Sequence, residues 1–562
     1  MNEEVMAELD TDVLIIGAGM SGLGFAVQLI RTYGTRNFEI IEKAEHIGGT
    51  WWANTYPGCG VDVVAHYYSY SFELNPNWSR KYPLQPEILS YFEKVAAKYN
   101  IDKHTKFRSV VQSAHWESAS GTWLVSIKDL TTLKTYNRRC KILVAAVGVL
   151  SVPNECQIPG ASTFKGPLFH TARWDHSFDW TDKELVVIGN GCSASQAVPV
   201  LSEGKKAARK VTQFARQAQW VFERPNPTYS ALFKWTMQWI PFAMRIYRGI
   251  HNYYAEYDFQ SFDIIAGASI RKMYADYQSA YIRRVSPERY QKFLVPDIEV
   301  GCKRRVMDTD YLECLNRDNV ELVYEDPIEE IVSTGVRTKS GRIIKADAII
   351  LANGFQVEKP LISLNLYGEG GVSVAEHWNK VSEGSASSYF GTCLSGFPNM
   401  FIMMGPNTAS GHGSVTYTTE CQINFTMRVI KPILNALKAQ RSRYIPVPGQ
   451  KADVIQVRSV AEQADIDTVQ EKAKKLVWSS GCSSWALDSQ GRNTTMYPDY
   501  QYKYWLRSIF IPWEDFELSK SMPFSASSAA NSPKVGSWLI TAGAIVAVAG
   551  LLHRAYSEIH VY

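Results

Sequence analysis

Residues 12–22 read DVLIIGAGMSG. The apolar run Asp12–Ile16 has the length and composition of a buried strand. It passes directly into Gly17-Ala18-Gly19-Met20-Ser21-Gly22. Leu23–Arg31 then follows a helical pattern, and a second apolar run, Phe38–Ile41, ends on Glu42. Strand, glycine loop, helix, strand and acid in that order make the βαβ unit that holds a dinucleotide. Gly17 makes the tight turn, Gly19 lets backbone approach a pyrophosphate, and Gly22 lets helix pack on strand. The helix N-terminus points its N–H groups at phosphate. Glu42 stands where a carboxylate accepts from a ribose hydroxyl. A plain glycine turn with a surface acid would explain the loop, but not all five features together.

The same grammar recurs further on. Leu185–Ile188 leads into Gly189-Asn190-Gly191-Cys192-Ser193-Ala194. Ala194 replaces the third glycine, which the motif tolerates because Ala also permits close packing. Gly189, Gly191 and Ser193 are the second set of candidate phosphate-binding positions. No acid follows the next strand, Val211–Phe214; Arg216 comes instead. A base there favours a 2′-phosphate, hence NADPH over NADH, and a solvated surface arginine is the alternative. The fold class is therefore α/β, with two Rossmann-like dinucleotide-binding domains.

Two further stretches carry fixed spacings. FKGPLFHTARWD, between the two glycine loops, presents Phe164, Gly166, His170, Trp174 and Asp175. GGTWWANTYPGCGVD, residues 48–62, presents Gly49, Thr50, Trp51, Tyr56-Pro57-Gly58 and Asp62. Together with both loops, these motifs resemble those of type I Baeyer–Villiger monooxygenases. The resemblance continues through Gln85–Ile88, Ala145–Ser151, Gly301–Asn319, Asp347–Phe355, Phe401–Asn407 and Trp478–Asn493. It covers Asp12 to about Asn493, with Asn353 where the family usually has Thr.

The resemblance implies a flavoprotein that uses FAD, NADPH and O2 to insert one oxygen beside a ketone carbonyl. FAD would lie on Gly17, Gly19, Gly22 and Glu42, with Gly49, Thr50, Trp51 and Asp62 nearby. NADPH would lie on Gly189, Gly191, Ser193, Arg216, Lys303 and Trp485; the competing reading of Trp485 is a core residue. Arg304 would be the catalytic cation, favouring an anionic oxygen nucleophile and the oxyanion of the attacked ketone. Asp62 would hold it by ion pairing. His170 and Trp174 are expected to organise the inter-domain linker rather than transfer protons. Two other readings stand beside this one: a flavin monooxygenase that hydroxylates or oxidises nitrogen or sulfur, and a non-catalytic, membrane-bound flavin/NADPH sensor.

The expected layout follows. Residues 1–160 form the first part of the FAD domain, 161–355 the NADP domain and 356–517 the second part of the FAD domain. An aromatic-rich helical insertion at about 222–300 is read as substrate pocket and lid, or as a packing layer. Residues 518–534, rich in Ser and Ala, are read as a linker. Val535–Leu552 is an uncharged, mainly apolar run of 18 residues, at the lower edge for crossing a bilayer. It is read as a C-terminal transmembrane helix with the catalytic domains in the cytosol; a monotopic or buried helix is the alternative. The insertion and this tail point to a bulky hydrophobic substrate, such as a secondary-metabolite intermediate.

Composition sets the outer bounds. With 59 basic and 55 acidic residues the net charge is +4, too balanced for a nucleic-acid partner. Nine cysteines without a Cys-x-x-Cys pair support neither a zinc site nor a dithiol centre. Free thiols in a reducing compartment are expected. Met1–Asp10 is acidic and offers no signal peptide.

Overall fold

The computed structural model describes residues 8–357, 359–442, 446–482 and 484–519. Val535–Leu552 lies outside them. Among the described residues no helix is long and apolar enough to cross a membrane.

The opening motif folds as its pattern requires. Thr11–Ile16 is a strand buried along its whole length, and Met20–Tyr33 is a helix ending on left-handed Gly34. Gly17 has φ +103°, a region that side chains with a Cβ rarely adopt. A Cβ on Gly22 would stand 2.0 Å from the Gly17 carbonyl oxygen, so helix and strand meet backbone to backbone.

The first strand sits inside an eight-stranded sheet. It pairs in parallel with Phe38–Ile41 on one side and Thr135–Ala145 on the other. Thr135–Ala145 is long enough to serve two partners along one edge. Its first half pairs antiparallel with Thr122–Asp129, and its last three residues pair in parallel with Met400–Ile402. That late strand and Leu366–Tyr367 before it return the chain to the first sheet after the second has been built.

The second sheet has five parallel strands in the order Val320–Val323, Lys210–Phe214, Glu184–Ile188, Ala348–Leu351, Leu168–His170. The FKGPLFHTARWD stretch therefore supplies an edge strand, with His170 opposite Leu351. In such a sheet the carboxyl ends of the strands face the ligand crevice. Gly189, Arg216 and Asn353 all follow such ends.

Ala231–Trp239, Ala243–Asp258, Ala268–Val285 and Glu288–Leu294 make the insertion helical. It is fastened to the segment after Asp62. His66 is enclosed by the rings of Tyr229, Phe233 and Tyr247. Arg248 donates to the carbonyls of His66 and Ser69, and Tyr67 to Asn252.

Two expectations are corrected. Leu518 and Ser519 are not linker; they belong to strand Phe516–Ser519, paired with Val454–Val457. Composition placed the boundary at the first Ser-rich residues, whereas strand pairing carries order past it. The long helix Val415–Arg441 accommodates Pro432 inside it. Not every cysteine is free: Cys302 and Cys482, 180 residues apart, form a disulfide with a Cα–Cα distance of 6.3 Å. No local spacing could reveal that pair.

Candidate active site

The site is assembled where the two nucleotide-binding loops approach each other. On the first loop, Glu42 is buried; its carboxylate accepts from the backbone N–H of Ala18 and of Ala44, both at 2.7 Å. It thereby stiffens the glycine loop and keeps lone pairs free for a ribose. Gly49 faces Gly19, where a Cβ would stand 2.7 Å from the Gly19 Cα. Thr50–Ala53 is a single helical turn, and the Trp51 indole N–H donates to Tyr68 at 3.2 Å. Burial raises the Tyr68 hydroxyl to about 12, so it remains a neutral hydrogen-bonding group. Neither Gly19 nor Gly191, the N-caps of the two nucleotide helices, offers a capping side chain. Both helix N-termini thus present unclaimed N–H groups, as a pyrophosphate needs.

The YPG segment connects the two halves. Tyr56 donates to Gln196 at 2.7 Å, and Gln196 donates back to the Gly60 carbonyl at 3.0 Å. Gln196 lies on Cys192–Leu201, the helix of the second glycine loop. Ser193, on the same turn, lies within hydrogen-bonding reach of Tyr56.

Asp62 and Arg304, 242 residues apart, form a hydrogen-bonded ion pair. Burial alone would raise the Asp62 pKa, but the Arg304 guanidinium more than cancels it and holds the carboxyl below its usual range. Asp62 in turn raises Arg304 against the opposing effect of burial. Arg304 keeps 39% side-chain exposure, so the pair lies in an open crevice closely walled by protein. Arg304 also contacts the Cys192 thiol at the start of the second nucleotide helix. The cation therefore stands between the flavin-side loop and the positive end of a helix dipole, a place that attracts anions.

Sequence reasoning missed Cys192, Gln196 and Arg224 as parts of this site. Arg224 donates to the carbonyls of Val61 at 2.9 Å and Asp308 at 3.2 Å, tying the segment before Asp62 to the one after Arg304. Cys192 is a variable position of the second glycine motif, and Gln196 lies two residues beyond it. Arg224 carried no local signal.

Arg216 is exposed just past the strand Lys210–Phe214, and Lys303 donates to neighbouring Gln217. Partial burial lowers the Lys303 pKa, and the charge of Arg216 lowers it further. Two cations held near one another suit a phosphate in charge and place. Trp485 is exposed and not core. The loop bearing it is joined by Cys482 to Cys302, the residue before Lys303.

The fingerprint residues do structural work. The His170 Nδ1 accepts from Ala172 N–H, which fixes Nε2 as the donor to the Gly354 carbonyl at 3.1 Å. Burial lowers the His170 pKa to about 4, keeping the ring neutral for both bonds. Asn353, at the position where Thr is usual, donates to the Glu155 carbonyl at 3.2 Å. Asn154 donates to both Gly354 and Asn353, so the two inter-sheet crossings are tied together at the histidine. Trp174 is buried edge-on against Phe169 and Trp180. Phe164 packs against the core of the second sheet, and its ring lies over Gly166. Asp175 closes a turn onto Ser177 at 2.9 Å.

Comparison with known proteins agrees with this arrangement. The family model described as "Flavin-binding monooxygenase-like" matches residues 10–237. The FAD-binding monooxygenase ktnD of Aspergillus niger is 32% identical over 91% of this chain and 82% of its own length. A Baeyer–Villiger monooxygenase of Pseudomonas aeruginosa is 31% identical over 88% of each chain. A solved structure of an oxidised steroid monooxygenase bound to NADP superposes with TM-score 0.76 at 26% identity, covering 91% of this chain and 99% of that one. Fold and site define a two-dinucleotide flavoprotein oxygenase. The chain belongs to the flavin-binding monooxygenase-like family, among relatives that include the Baeyer–Villiger monooxygenases.

Proposed function

We propose that this protein is an FAD- and NADPH-dependent Baeyer–Villiger monooxygenase that converts a bulky hydrophobic ketone to an ester or lactone. The observation that carries this reading is the placement of Arg304 between Asp62 and the N-terminus of the second nucleotide helix. Bound FAD, reduced by NADPH, supplies the activation of O2. The chain's own residues do the rest. The two glycine loops and helix N-termini hold the pyrophosphates, Glu42 takes a ribose hydroxyl, and Arg216 with Lys303 takes the 2′-phosphate. Arg304, a permanent cation, favours a deprotonated oxygen nucleophile over its protonated form. It also stabilises the negative charge that develops on the carbonyl oxygen under attack. Asp62 keeps the guanidinium in position by a charge-assisted hydrogen bond.

Oxidation of nitrogen or sulfur uses a protonated electrophile and has no need of such a cation, so the ion pair favours the ketone reaction. The steroid monooxygenase among the relatives supports a bulky substrate. In Arg304→Ala, flavin reduction by NADPH should persist while ester formation falls by two or more orders of magnitude. That corresponds to about 3–4 kcal/mol for a lost oxyanion stabiliser, and the electrons leave as hydrogen peroxide. With 18O2 the wild-type product should carry one label. Normal ester yield in the variant would remove the mechanism. A wild type that ignores every ketone but labels amines or sulfides would remove the reaction class.

The apolar segment Val535–Leu552 is proposed as a C-terminal membrane anchor that leaves the catalytic part cytosolic. Its 18 uncharged residues support this. Truncation after Ser532 should release soluble, flavin-loaded, active protein. Full-length protein that fractionates wholly as soluble would eliminate the anchor.

A further inference from the structure

The helical insertion turns an apolar face outward. On the helix Ala231–Trp239, Leu232, Trp235 and Trp239 recur on one side and are 73%, 52% and 63% exposed. The turn into the next helix adds Ile240 and Phe242, at 45% and 73%, and Ile246 follows one helical turn later at 56%. The opposite side is fully used: Met237 is buried, and Phe233 and Tyr247 pack on His66. The hairpin is therefore firmly seated, and its outer face is not a consequence of poor packing. Six large apolar side chains grouped this way exceed the scattered exposure normal for a soluble surface.

Two features indicate what covers this face. Phe242 has a left-handed backbone, φ +65°, at a position where a bulky residue is disfavoured. That conformation holds its ring out from the protein, so strain is spent on exposing an aromatic side chain. Charge is the second feature. From Pro225 to Ala255 the sequence contains no Asp or Glu, but has Lys234, Arg245 and Arg248. Arg248 turns inward to the carbonyls of His66 and Ser69, leaving Lys234 and Arg245 as the other charges of this segment, Arg245 within electrostatic reach of the Glu420 carboxylate. Aromatic tips on a segment whose own charges are all basic match the boundary between acyl chains and anionic headgroups. A two-fold contact with a second copy would bring these cations against their own counterparts. The uncharged run Val535–Leu552 offers them no anion.

We propose that the outer face of the hairpin formed by Ala231–Trp239 and the start of Ala243–Asp258 is a docking surface for an anionic lipid bilayer. Its aromatic and aliphatic side chains are seated at the headgroup–acyl boundary. The inference depends neither on the reaction assigned above nor on the C-terminal segment.

The test is hydroxyl-radical footprinting of the full-length flavin-loaded protein, with and without phosphatidylcholine–phosphatidylserine vesicles. Oxidation of Trp235 and Trp239 should fall several-fold with vesicles, while Trp485 stays unchanged. Protection should weaken at high salt and with phosphatidylcholine alone. In Trp239→Ser/Phe242→Ser, Trp235 should stay as reactive with vesicles as without; retained NADPH oxidation in this variant shows that it is folded. Undiminished oxidation of both tryptophans in vesicle-bound wild type would overturn the proposal. Protection without vesicles that grows with protein concentration would overturn it in favour of a second copy. Protection without vesicles at every concentration would overturn it in favour of the chain's own C-terminal segment.

Discussion

Arg216 and Arg304 are both arginines in a nucleotide crevice, yet their surroundings assign them different work. Arg304 has a carboxylate partner, a thiol contact and walls of protein, so its charge is fixed in place, as the proposed reaction requires. Arg216 lies exposed beside Lys303, and no carboxylate closes the strand before it. Such a pair suits the diffusing dianion that the proposed function assigns to it. Arg216→Ala should raise the KM for NADPH by about tenfold or more, because a charge-assisted hydrogen bond contributes roughly 1.5–3 kcal/mol. The KM for NADH should hardly move. Steady-state kinetics with both cofactors checks this, and equal effects on the two would reassign Arg216 to a structural role.

At the scale of elements, the join between the insertion and the segment after Asp62 is a hydrophobic clasp closed on a histidine. His66 is 1% exposed, and among the described contacts neither ring nitrogen has a hydrogen-bond partner. Burial, then the charges of His251 and Arg248, lowers its pKa from 6.5 to about 4. The folded state thus binds fewer protons than the unfolded chain between these values. The stability contributed by keeping His66 neutral is full above pH 6.5 and is lost as pH falls toward 4. The loss approaches ~1.4 kcal/mol per pH unit inside that window. His66→Phe keeps a planar ring in the aromatic cage and removes the titration. The stability of the variant relative to wild type should therefore rise as pH is lowered from 7 to 5. Urea unfolding at several pH values measures it; a difference that does not vary with pH would mean that His66 is not buried neutral.

Across the whole molecule, the disulfide Cys302–Cys482 ties the Trp485 loop to the segment that carries Lys303 and Arg304. A cross-link between residues so distant in sequence removes much freedom from the unfolded chain, about 3–5 kcal/mol in the entropic account. Thiol titration of unreduced, denatured protein should find seven free cysteines, the nine of the sequence less this pair. Cys482→Ser should speed proteolysis between Ser479 and Arg492. A count of nine thiols would restore the original expectation of a fully reduced chain.

The sequence by itself determined the two dinucleotide units, because each is written in contiguous residues. A buried strand, a glycine loop and a helix start need only local spacing, and Gly17 and Gly189 stand at the turns where that spacing put them. The Baeyer–Villiger-type motifs were also legible, since FKGPLFHTARWD is a single short run. Tertiary structure alone decided what those runs touch. His170 reaches Gly354 across 184 residues, Asp62 reaches Arg304 across 242, and Cys302 reaches Cys482 across 180. Such contacts depend on how two sheets are wound through each other. The outward face of the insertion was equally hidden. A helical pattern shows which residues share a side, but only packing of the opposite side on His66 shows that Trp235, Trp239 and Phe242 are left facing out.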